Sequence, residues 1–269
     1  MTLVNERARV LENACVGPKL HLRRLSSPLI AGSIEPGQFV HMRIPGMEGH
    51  ILRRPFSVYA RDAREGSLDI LYQVVGFGSD HMAGLVPGQC GDAELIGPVG
   101  NAWAAPEGAR RALLVGGGVG AAPLFMLCER LVGAGVAVDV VLGAQTEDAL
   151  VCRERFDEVL AAQGGAVRCA TDDGSCGRAG FCTPLSQEAL DEAAAAGEPY
   201  DYLAVCGPEV LMGIVARQAR EAGVPCQVSM ERRMACGVGA CLSCVLDTVD
   251  GKKRACVDGP IFDAEEVLW

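Results

Sequence analysis

Four cysteines near the C-terminus give the clearest chemical signal in this sequence of 269 residues. Cys236, Cys241, Cys244 and Cys256 follow the pattern C-x4-C-x2-C, with the fourth cysteine twelve positions after the third. This spacing is typical of a loop that folds around a 2Fe-2S cluster, in which each iron takes two thiolates. Small residues between the first two cysteines permit the tight bend that such convergence requires. The pattern therefore predicts a centre that transfers electrons.

The segment between the third and fourth cysteines predicts a hairpin. Two β-like runs flank Asp250 and Gly251, a pair that favours a two-residue turn and would return Cys256 to the other cysteines. A structural zinc site is the alternative, because four thiolates also suit tetrahedral zinc. Zinc motifs usually pair two C-x2-C units, however, and the glycine-rich gap after Cys236 favours the cluster.

The composition argues against several classes of function. The chain has 24 Lys and Arg against 34 Asp and Glu, and an acidic chain without a basic stripe is not expected to bind nucleic acid. Its N-terminal stretch is charged throughout and lacks the apolar core of a signal peptide. Thirteen cysteines, an odd number scattered through apolar segments, favour a reducing compartment over a disulfide framework. A cytoplasmic protein is therefore expected.

The chain is predicted to form three domains of mixed fold class. Residues 1–104 contain short β-like runs separated by Pro-Gly or Gly-rich turns, which predict an antiparallel β-barrel. Residues 105–223 alternate strands with helices, which predicts an α/β domain with a parallel sheet. Its second helix is expected near 151–163, and the next strand from residue 166. Residues 224–269 contain the cysteine loop and are expected to form a small cluster domain.

One uncharged stretch, from Ala112 to Cys128, is nearly long enough to span a membrane. Its glycines and proline instead favour a strand, a glycine turn and a helix, which together open a dinucleotide-binding βαβ unit. No membrane association is expected.

The glycine turn of that unit contains Gly116, Gly117, Gly118 and Gly120. Backbone N–H groups at such a turn, together with the dipole of the following helix, favour a bound pyrophosphate, although a plain tight turn is the alternative. Pro123 is placed where a helix tolerates proline, in the first turn. Cys206, Gly207 and Pro208 follow a later strand, at the sheet edge where open α/β sheets bind ligands. They are the expected nicotinamide contacts, with simple burial of Cys206 as the alternative.

Taken in order, these segments resemble the ferredoxin reductase superfamily, in which a flavin-binding barrel precedes a nucleotide-binding domain. The resemblance includes the PGQF turn, the RPFS run, GGGVGAAPL, ATDDGSCG and CGP. The tail, MERRMACGVGACLSC followed by ACVDGPIF, is similar to the electron transfer subunits of class 1B dihydroorotate dehydrogenase. The resemblance covers essentially the whole chain.

The resemblance implies FAD, NAD and a 2Fe-2S cluster as cofactors. In the family, three segments bind FAD, and here they correspond to Arg54, Pro55, Phe56 and Ser57, then Leu71, Tyr72 and Gln73, then Gly78 and Ser79. Arginine can pair with the diphosphate, and backbone groups can hold the flavin edge. Related chains commonly have Arg and Thr where this chain has Gln73 and Ser79. Gln73 therefore removes a possible phosphate charge, whereas Ser79 keeps a hydroxyl.

Other interpretations of these residues stay open. Tyr72 could pack inside the barrel without touching the flavin. Arg53 and Arg54 could be solvated surface charges. His41 shows no pairing with a catalytic or metal-binding partner in the sequence, and neither do the other histidines considered, so no chemistry is assigned to it.

Asp172 and Asp173 bear on the choice of coenzyme. They cap a turn or, alternatively, face the adenosine ribose of the bound dinucleotide. In the second case their charges would repel a 2′-phosphate and favour NAD over NADP.

The resemblance also implies a division of labour between two proteins. Electrons from dihydroorotate would pass from an FMN-containing catalytic subunit through the cluster and FAD to NAD, in pyrimidine (UMP) biosynthesis. A heterotetramer with two copies of each chain is expected. Val238, Ala240 and Leu242 surround the cysteines and are candidates for the docking face, or they only shield the cluster.

Two other functions remain as alternatives. One is the flavoprotein subunit of a bifurcating NADH-dependent ferredoxin:NADP reductase or of a sulfide dehydrogenase, whose layout is similar. Those chains more often have an acidic residue or altered spacing at the first ligand, whereas Cys236 is intact here. The other is a zinc-binding, redox-responsive module through which no electrons flow.

Overall fold

The computed structural model describes residues 2–150, 153–165 and 167–269. The first two residues of the helix expected near 151–163, Val151 and Cys152, lie outside the described residues, as do Met1 and Ala166, where the next strand was expected to begin. Within the described residues, the chain forms two seven-stranded sheets and one two-stranded hairpin.

The first sheet is antiparallel throughout and curls into a half-barrel, which confirms the predicted fold of this part. Its strands are β1 Val4–Gly17, β2 Leu20–Ser26, β3 Phe39–Arg43, β4 Arg54–Ser57, β5 Ala60–Asp62, β6 Ser67–Gln73 and β7 Ala93–Val99, with short helices α1 Pro28–Ala31 and α2 Phe77–Ala83. Their spatial order is β4-β3-β7-β1-β2-β6-β5. Alternate side chains of the strands fill the barrel with an apolar core.

The sequence pattern does not reveal strand β1, because its many charges hide its alternation. Glu6, Ala8 and Val10 point into the barrel, while the residues between them are exposed. The Glu6 carboxylate is buried, and it accepts hydrogen bonds from the Ser27 hydroxyl at 2.5 Å and from the Ile30 N–H at 3.1 Å. A charge that looks solvated in the sequence thus caps helix α1 from inside the barrel.

The second sheet is parallel, as the α/β pattern predicts, except for one antiparallel strand at its edge. Its strands are β8 Arg111–Gly117, β9 Ala137–Ala144, β10 Val167–Thr171, β11 Arg178–Ala179, β12 Tyr202–Cys206, β13 Cys226–Ser229 and β16 Ile261–Asp263, and its helices are α3 Ala122–Gly133, α4 Arg153–Ala161, α5 Thr183–Ala195 and α6 Glu209–Glu221. The order β11-β10-β9-β8-β12-β13-β16 places β8 at the centre. Helices α3 and α4 pack into one apolar cluster, and α5 and α6 pack into the other.

The C-terminal segment returns to this sheet, which the sequence pattern does not reveal. Strand β13 pairs with β12 in parallel, and β16 pairs with β13 in the antiparallel direction. Between them lie the cysteine loop and the predicted hairpin, whose strands are β14 Val245–Thr248 and β15 Gly251–Arg254. Strands of three or four residues are too short to show a periodic pattern. The proposed domain boundaries at 104 and 223 stay a prediction.

The uncharged stretch from Ala112 to Cys128 forms β8, one turn of 3-10 helix and the first half of α3. None of the helices in the described part of the chain has the length and apolar character that crossing a membrane requires.

Candidate cofactor sites and the cysteine loop

The glycine turn and the Cys206–Pro208 segment lie against each other at the C-terminal edge of the parallel sheet. Cys206 and Gly116 are direct neighbours on β12 and β8. A Cβ atom at Gly120 would lie 2.7 Å from the Cys206 carbonyl oxygen and from Gly207. The absence of a side chain therefore allows two backbone segments to touch, which the nucleotide-binding interpretation alone did not anticipate.

One side of the same turn is open. Gly118 has a φ of +56°, and a Cβ atom there would meet nothing within 4 Å. Gly118 also lines a small cleft together with Leu71 of the barrel. The turn and one predicted FAD segment thus face a shared cleft between the two sheets. The glycine turn and this FAD segment are therefore neighbours in the fold, and their contacts with the two cofactors stay predictions.

Cys206 is almost completely buried, with 1% of its surface exposed. Burial, with a smaller contribution from the Glu231 carboxylate, raises the pKa of its thiol to about 12. The thiol is neutral at pH 7 and is therefore not an activated nucleophile. Its packing matches the burial alternative, and nicotinamide stacking on this residue stays a prediction.

The three predicted FAD segments lie on β4, at the end of β6 and at the start of α2. The Arg54 guanidinium rests against Gly78, where an added Cβ atom would lie 3.1 Å from Arg54 Nε. The guanidinium thus lies directly against the backbone at the start of α2, and a guanidinium in such a place can pair with an anionic group such as a diphosphate. The residues present therefore fit FAD.

The two adjacent arginines have different environments. Arg53 Nη1 donates a hydrogen bond to the Glu94 carbonyl at 2.7 Å, and its Nη2 lies 3.1 Å from the Glu94 carboxylate. Arg53 is thus tied to strand β7. Within the described residues, Arg54 makes no ion pair, and its Nη1 donates to the Leu52 carbonyl. Arg54 is therefore the arginine that is left to meet an anionic ligand.

Tyr72 and Ser79 use their hydroxyl groups inside the protein. The Tyr72 side chain is buried, its hydroxyl lies 3.0 Å from Asn13 Oδ1, and its ring meets Phe56 edge-on at 5.9 Å. These contacts match the packing alternative for Tyr72. Ser79 Oγ accepts hydrogen bonds from the N–H groups of Val75 and Gly76 at 2.9 and 3.2 Å, which fixes the turn before α2. Gln73 is exposed.

The four C-terminal cysteines form two pairs. Cys244 Sγ lies 3.3 Å from Cys256 Sγ, and both residues are buried. Cys236 Sγ accepts a hydrogen bond from the Cys241 N–H at 3.4 Å, and Cys241 is exposed. A dinuclear cluster takes two thiolates on each iron, whereas zinc needs its ligands around a single point. Two pairs of thiols match the two irons of a 2Fe-2S cluster more closely than the single centre of a zinc site.

The two pairs also differ in electrostatics. Hydrogen bonds from Ser243 and Cys236 lower the pKa of the exposed Cys241 thiol to about 6. Burial is the main cause that raises the pKa of Cys256 to about 12, and Cys244 adds to it. One pair therefore faces solvent, and the other faces the apolar core of the nucleotide sheet.

The cysteine loop is held from two sides. Arg254 pairs with Asp258, at 3.0 Å, and its Nη1 donates to the Gly239 carbonyl at 3.4 Å. On the other side, Gly237 packs against the barrel, where a Cβ atom would lie 2.7 Å from His41 Nδ1. The sequence offered no reason to assign His41 a role, because its contact with the loop joins residues far apart in the chain.

Asp173 acts as a turn cap. Its Oδ1 accepts hydrogen bonds from the Ser175 N–H at 3.0 Å and from the Ser175 hydroxyl at 2.7 Å. Asp172 beside it is exposed, at the sheet edge that also contains the glycine turn. Asp172 is therefore the better candidate for a contact with the adenosine ribose, and the preference for NAD stays a prediction.

Comparisons with known proteins agree with this geometry. Residues 231–268 match the iron-sulfur cluster binding domain of dihydroorotate dehydrogenase B, and residues 114–217 match the oxidoreductase NAD-binding domain. A solved structure of an NADH-dependent reduced ferredoxin-NADP oxidoreductase is similar, with a TM-score of 0.83 and 30% identity over 97% of this chain and 90% of that one.

Curated relatives are similar along nearly the whole length. The dihydroorotate dehydrogenase B (NAD(+)) electron transfer subunit of Bacillus caldolyticus is 38% identical, over 98% of each chain. The subunit of the same name from Desulforamulus reducens is 35% identical, over 97% of each chain. This chain belongs to the family of dihydroorotate dehydrogenase B electron transfer subunits.

Proposed function

We propose that this chain is the electron transfer subunit of an NAD-dependent dihydroorotate dehydrogenase. It accepts electrons from an FMN-containing catalytic subunit and delivers them to NAD+, with a 2Fe-2S cluster and FAD as its carriers, in pyrimidine biosynthesis. The observation that carries this proposal is the continuity of the match, because the two relatives described above align along 97% and 98% of the chain, through the barrel, the sheet and the cysteine loop.

Three neighbouring groups of residues are proposed to bind the cluster, FAD and NAD. Cys236, Cys241, Cys244 and Cys256 would hold the cluster, Arg54 and Gly78 would receive the FAD diphosphate, and the glycine turn would receive the dinucleotide. A flavin supplies the conversion between two-electron hydride chemistry and one-electron transfer. The residues proposed for these groups lie close together, since Gly237 of the cysteine loop contacts His41 of the barrel and Leu71 of the barrel lines a small cleft with Gly118 of the turn.

The catalytic partner is proposed to dock where the exposed cysteines lie. Val238 and Leu242 are 47% and 62% exposed beside Cys241. Apolar side chains at the surface next to a redox centre favour a protein contact there, because association removes their area from water. Dihydroorotate oxidation is assigned to that partner, in a heterotetramer with two copies of each chain.

A cytoplasmic location is part of the proposal. The twelve described cysteines are all free thiols. Free thiols in this number are typical of a reducing compartment.

A bifurcating ferredoxin-NADP reductase subunit is the second candidate. The similar solved structure, at 30% identity, favours it. The curated relatives at 35% and 38% identity and the family match over residues 231–268 favour the first candidate.

Purification of the tagged chain tests the two candidates. We expect it to bring down an FMN-bearing protein that oxidises dihydroorotate, in a ratio of one to one. The isolated chain should show flavin and 2Fe-2S absorption, and it should oxidise NADH with ferricyanide much faster than it oxidises NADPH. Dihydroorotate oxidation by the isolated chain, or a ferredoxin-linked partner in its place, would contradict the proposal. Equal rates with the two coenzymes would contradict the role given to Asp172.

A further inference from the structure

Two cysteines of the nucleotide sheet lie side by side, next to the turn that contains Asp172. Cys169 lies on β10, and Cys176 lies in the turn that leads from β10 to β11. Both are free thiols within the same apolar cluster. Their side chains share a hydrogen bond. The proposed function uses neither of these thiols.

Backbone contacts hold Cys176 against β10. Thr171 Oγ1 accepts a hydrogen bond from the Cys176 N–H at 3.0 Å and donates one to the Cys176 carbonyl at 3.2 Å. Cys169 and Thr171 are two positions apart on one strand, so their side chains lie on the same face of the sheet. A Cβ atom at Gly177 would overlap the Cys169 carbonyl oxygen and would lie 3.3 Å from Cys169 Cβ. The fold therefore brings the two cysteines close enough for a disulfide to form without a large movement of the backbone.

The two thiols differ in their contact with Arg153, the first described residue of α4. Arg153 Nη1 donates a hydrogen bond to Cys176 Sγ at 3.0 Å, and Asp157 and Glu147, at 3.5 and 3.9 Å, anchor the guanidinium. A guanidinium beside a sulfur favours the thiolate, which is the reactive form. Burial, followed by the neighbouring Cys176, raises the pKa of the Cys169 thiol to about 12, so Cys169 stays protonated. Cys176 therefore has the environment of an attacking thiol, and Cys169 that of a resolving thiol.

A small oxidant can reach the pair from solvent. Cys169 and Cys176 are 8% and 9% exposed, whereas Cys128 on α3 has no exposed surface. The residues on either side of Cys176, Ser175 and Gly177, are exposed. Oxidation of cysteine depends on such access as well as on thiolate character.

We propose that Cys169 and Cys176 form a reversible disulfide in the presence of peroxide, and that this disulfide weakens the binding of NADH. The Cys176 sulfur forms a bond to one peroxide oxygen as the O–O bond breaks, which gives a sulfenic acid and one water. The Cys169 sulfur then forms the S–S bond, the S–O bond breaks, and the hydroxide leaves as a second water with the Cys169 proton. The two thiols lose two electrons in all, and one peroxide is reduced to two waters. A dithiol reverses the reaction by exchange and is itself oxidised to a disulfide.

The turn between the two cysteines gives the disulfide its consequence. It contains Asp172, the candidate for the ribose contact, and Asp173, which caps the turn. An S–S bond takes the Cys176 sulfur away from Arg153 and draws this end of the turn towards β10. The position of Asp172 changes with it, so NADH should bind less tightly. The disulfide itself does not depend on the proposed function, whereas its effect on NADH rests on that function.

Trypsin makes the bond directly measurable. Cleavage after Arg168 and Arg178 releases one peptide that contains Cys169, Cys176 and no other cysteine. The purified chain with its cofactors is treated with hydrogen peroxide, denatured, alkylated and digested, and the peptide is weighed by mass spectrometry. We expect it to be two hydrogen atoms lighter and without alkyl groups, and dithiothreitol should restore both alkylation sites. Cys128 is the internal control, and it should stay fully alkylated.

The effect on the coenzyme is measured on the same samples. The NADH concentration that gives half of the maximal rate of flavin reduction should rise roughly threefold to tenfold on oxidation, as for the loss of one hydrogen bond. Dithiothreitol should reverse the rise. The matched variants Cys169→Ser and Cys176→Ser cannot form the disulfide, so peroxide should not change their NADH requirement.

Two alkylated cysteines in the treated wild-type peptide would overturn the inference, and so would a sulfinic acid at Cys176 in place of the disulfide. A disulfide that leaves the NADH requirement unchanged would overturn the effect on the coenzyme. A rise that persists in both serine variants would overturn it too, because peroxide would then act elsewhere. An untreated chain whose flavin NADH does not reduce would contradict the proposed function, while the peptide mass would still test the disulfide.

Discussion

The cysteines of the terminal loop and those of the nucleotide sheet show how position changes the chemistry of one residue type. Cys241 is exposed, and hydrogen bonds lower the pKa of its thiol to about 6. Cys128 on α3 is completely buried, and burial raises the pKa of its thiol to about 12. Cys206 resembles Cys128, although it lies at the ligand-binding edge of the sheet. Exposure and hydrogen bonds thus prepare the Cys241 thiol to bind metal, whereas the buried thiols of Cys128 and Cys206 stay neutral and fill space. Cys256 of the loop is buried as well, and its pKa is raised in the same way, so exposure decides the difference and not the loop itself.

The two regions also use glycine differently. In the loop, Gly237 and Gly239 have φ angles of +69° and +79°, which lets the backbone turn around the cysteines. At the edge of the nucleotide sheet, Gly120 lets two backbone segments touch, and Gly117 leaves space for the side chains of Leu211 and Pro208. Neither glycine has a left-handed conformation. The loop therefore depends on backbone direction and the sheet on close packing.

The largest expected effect is on metal binding by the loop. The Cys241→Ser substitution should lower the iron content of the protein by at least about tenfold, while FAD stays bound. The reason is that one iron of the cluster loses one of its two thiolates. Cys128→Ala is the matched control. It should keep its iron and lose about 1 kcal/mol of unfolding free energy, because it removes a buried sulfur. Metal analysis, flavin absorption and urea unfolding measure these quantities. Full iron content in Cys241→Ser would abolish the contrast between the two groups of cysteines.

An intermediate effect is expected at the glycine turn. The added methyl of Gly120→Ala would lie 2.7 Å from the backbone of Cys206 and Gly207, so the variant should lose about 1–3 kcal/mol of unfolding free energy and reduce its flavin more slowly with NADH. Gly133→Ala, at the other end of helix α3, meets nothing within 4 Å. The unfolding free energy of Gly133→Ala should rise by about 0.5–1 kcal/mol. Urea unfolding measures the stability of both variants, and stopped-flow reduction measures the rate at which NADH reduces their flavin. Equal stability of the two variants would contradict the close packing inferred at Gly120.

The smallest effect concerns the acid sensitivity of the sheet. Asp201 Oδ2 accepts hydrogen bonds from the N–H groups of Arg110 and Arg111 at 2.8 and 3.1 Å. The Arg110 N–H is the main cause that lowers the pKa of Asp201 in the folded chain. Its ionised form therefore stabilises the fold above the ordinary pKa of about 3.9, and the contribution is lost as the pH falls below that value.

Asp201→Asn should accordingly cost about 0.5–1 kcal/mol at pH 7. The difference from the wild type should shrink as the pH falls below the ordinary carboxyl value of about 3.9, and iron content at pH 7 should not change. Denaturant unfolding at several pH values measures this, and a difference that grows in acid would contradict the assignment.

Local motifs account for what the sequence could predict. The cysteine spacing, the hairpin at Asp250 and Gly251 and the glycine turn each lie within a short segment, so their geometry follows from neighbouring residues. The contact of Gly120 with Gly207 could not be predicted, because two distant strands must first pair.

The errors and omissions have the same physical origin. Strand β1 has a charged residue that is buried only because helix α1 needs a cap, and Arg53 is paired with Glu94 across the sheet. The sequence pattern also left His41 without a role, since its neighbour Gly237 is almost two hundred positions away. Tertiary contacts decide these roles, and a single sequence does not display them.

The pairing of β13 with β16 makes the cysteine loop an excursion anchored at both ends. Ser229 pairs with Ile261 at its base, and the Met230 N–H donates to the Pro260 carbonyl at 2.8 Å. A carrier on a flexible tail can swing between donor and acceptor, but this loop cannot move far without breaking strand pairing inside the nucleotide sheet. The cysteines that hold the redox centre are therefore tied to the nucleotide sheet at both ends of their loop. The place of the loop beside the flavin barrel is set when the chain folds, by this strand pairing and by the contact of Gly237 with His41.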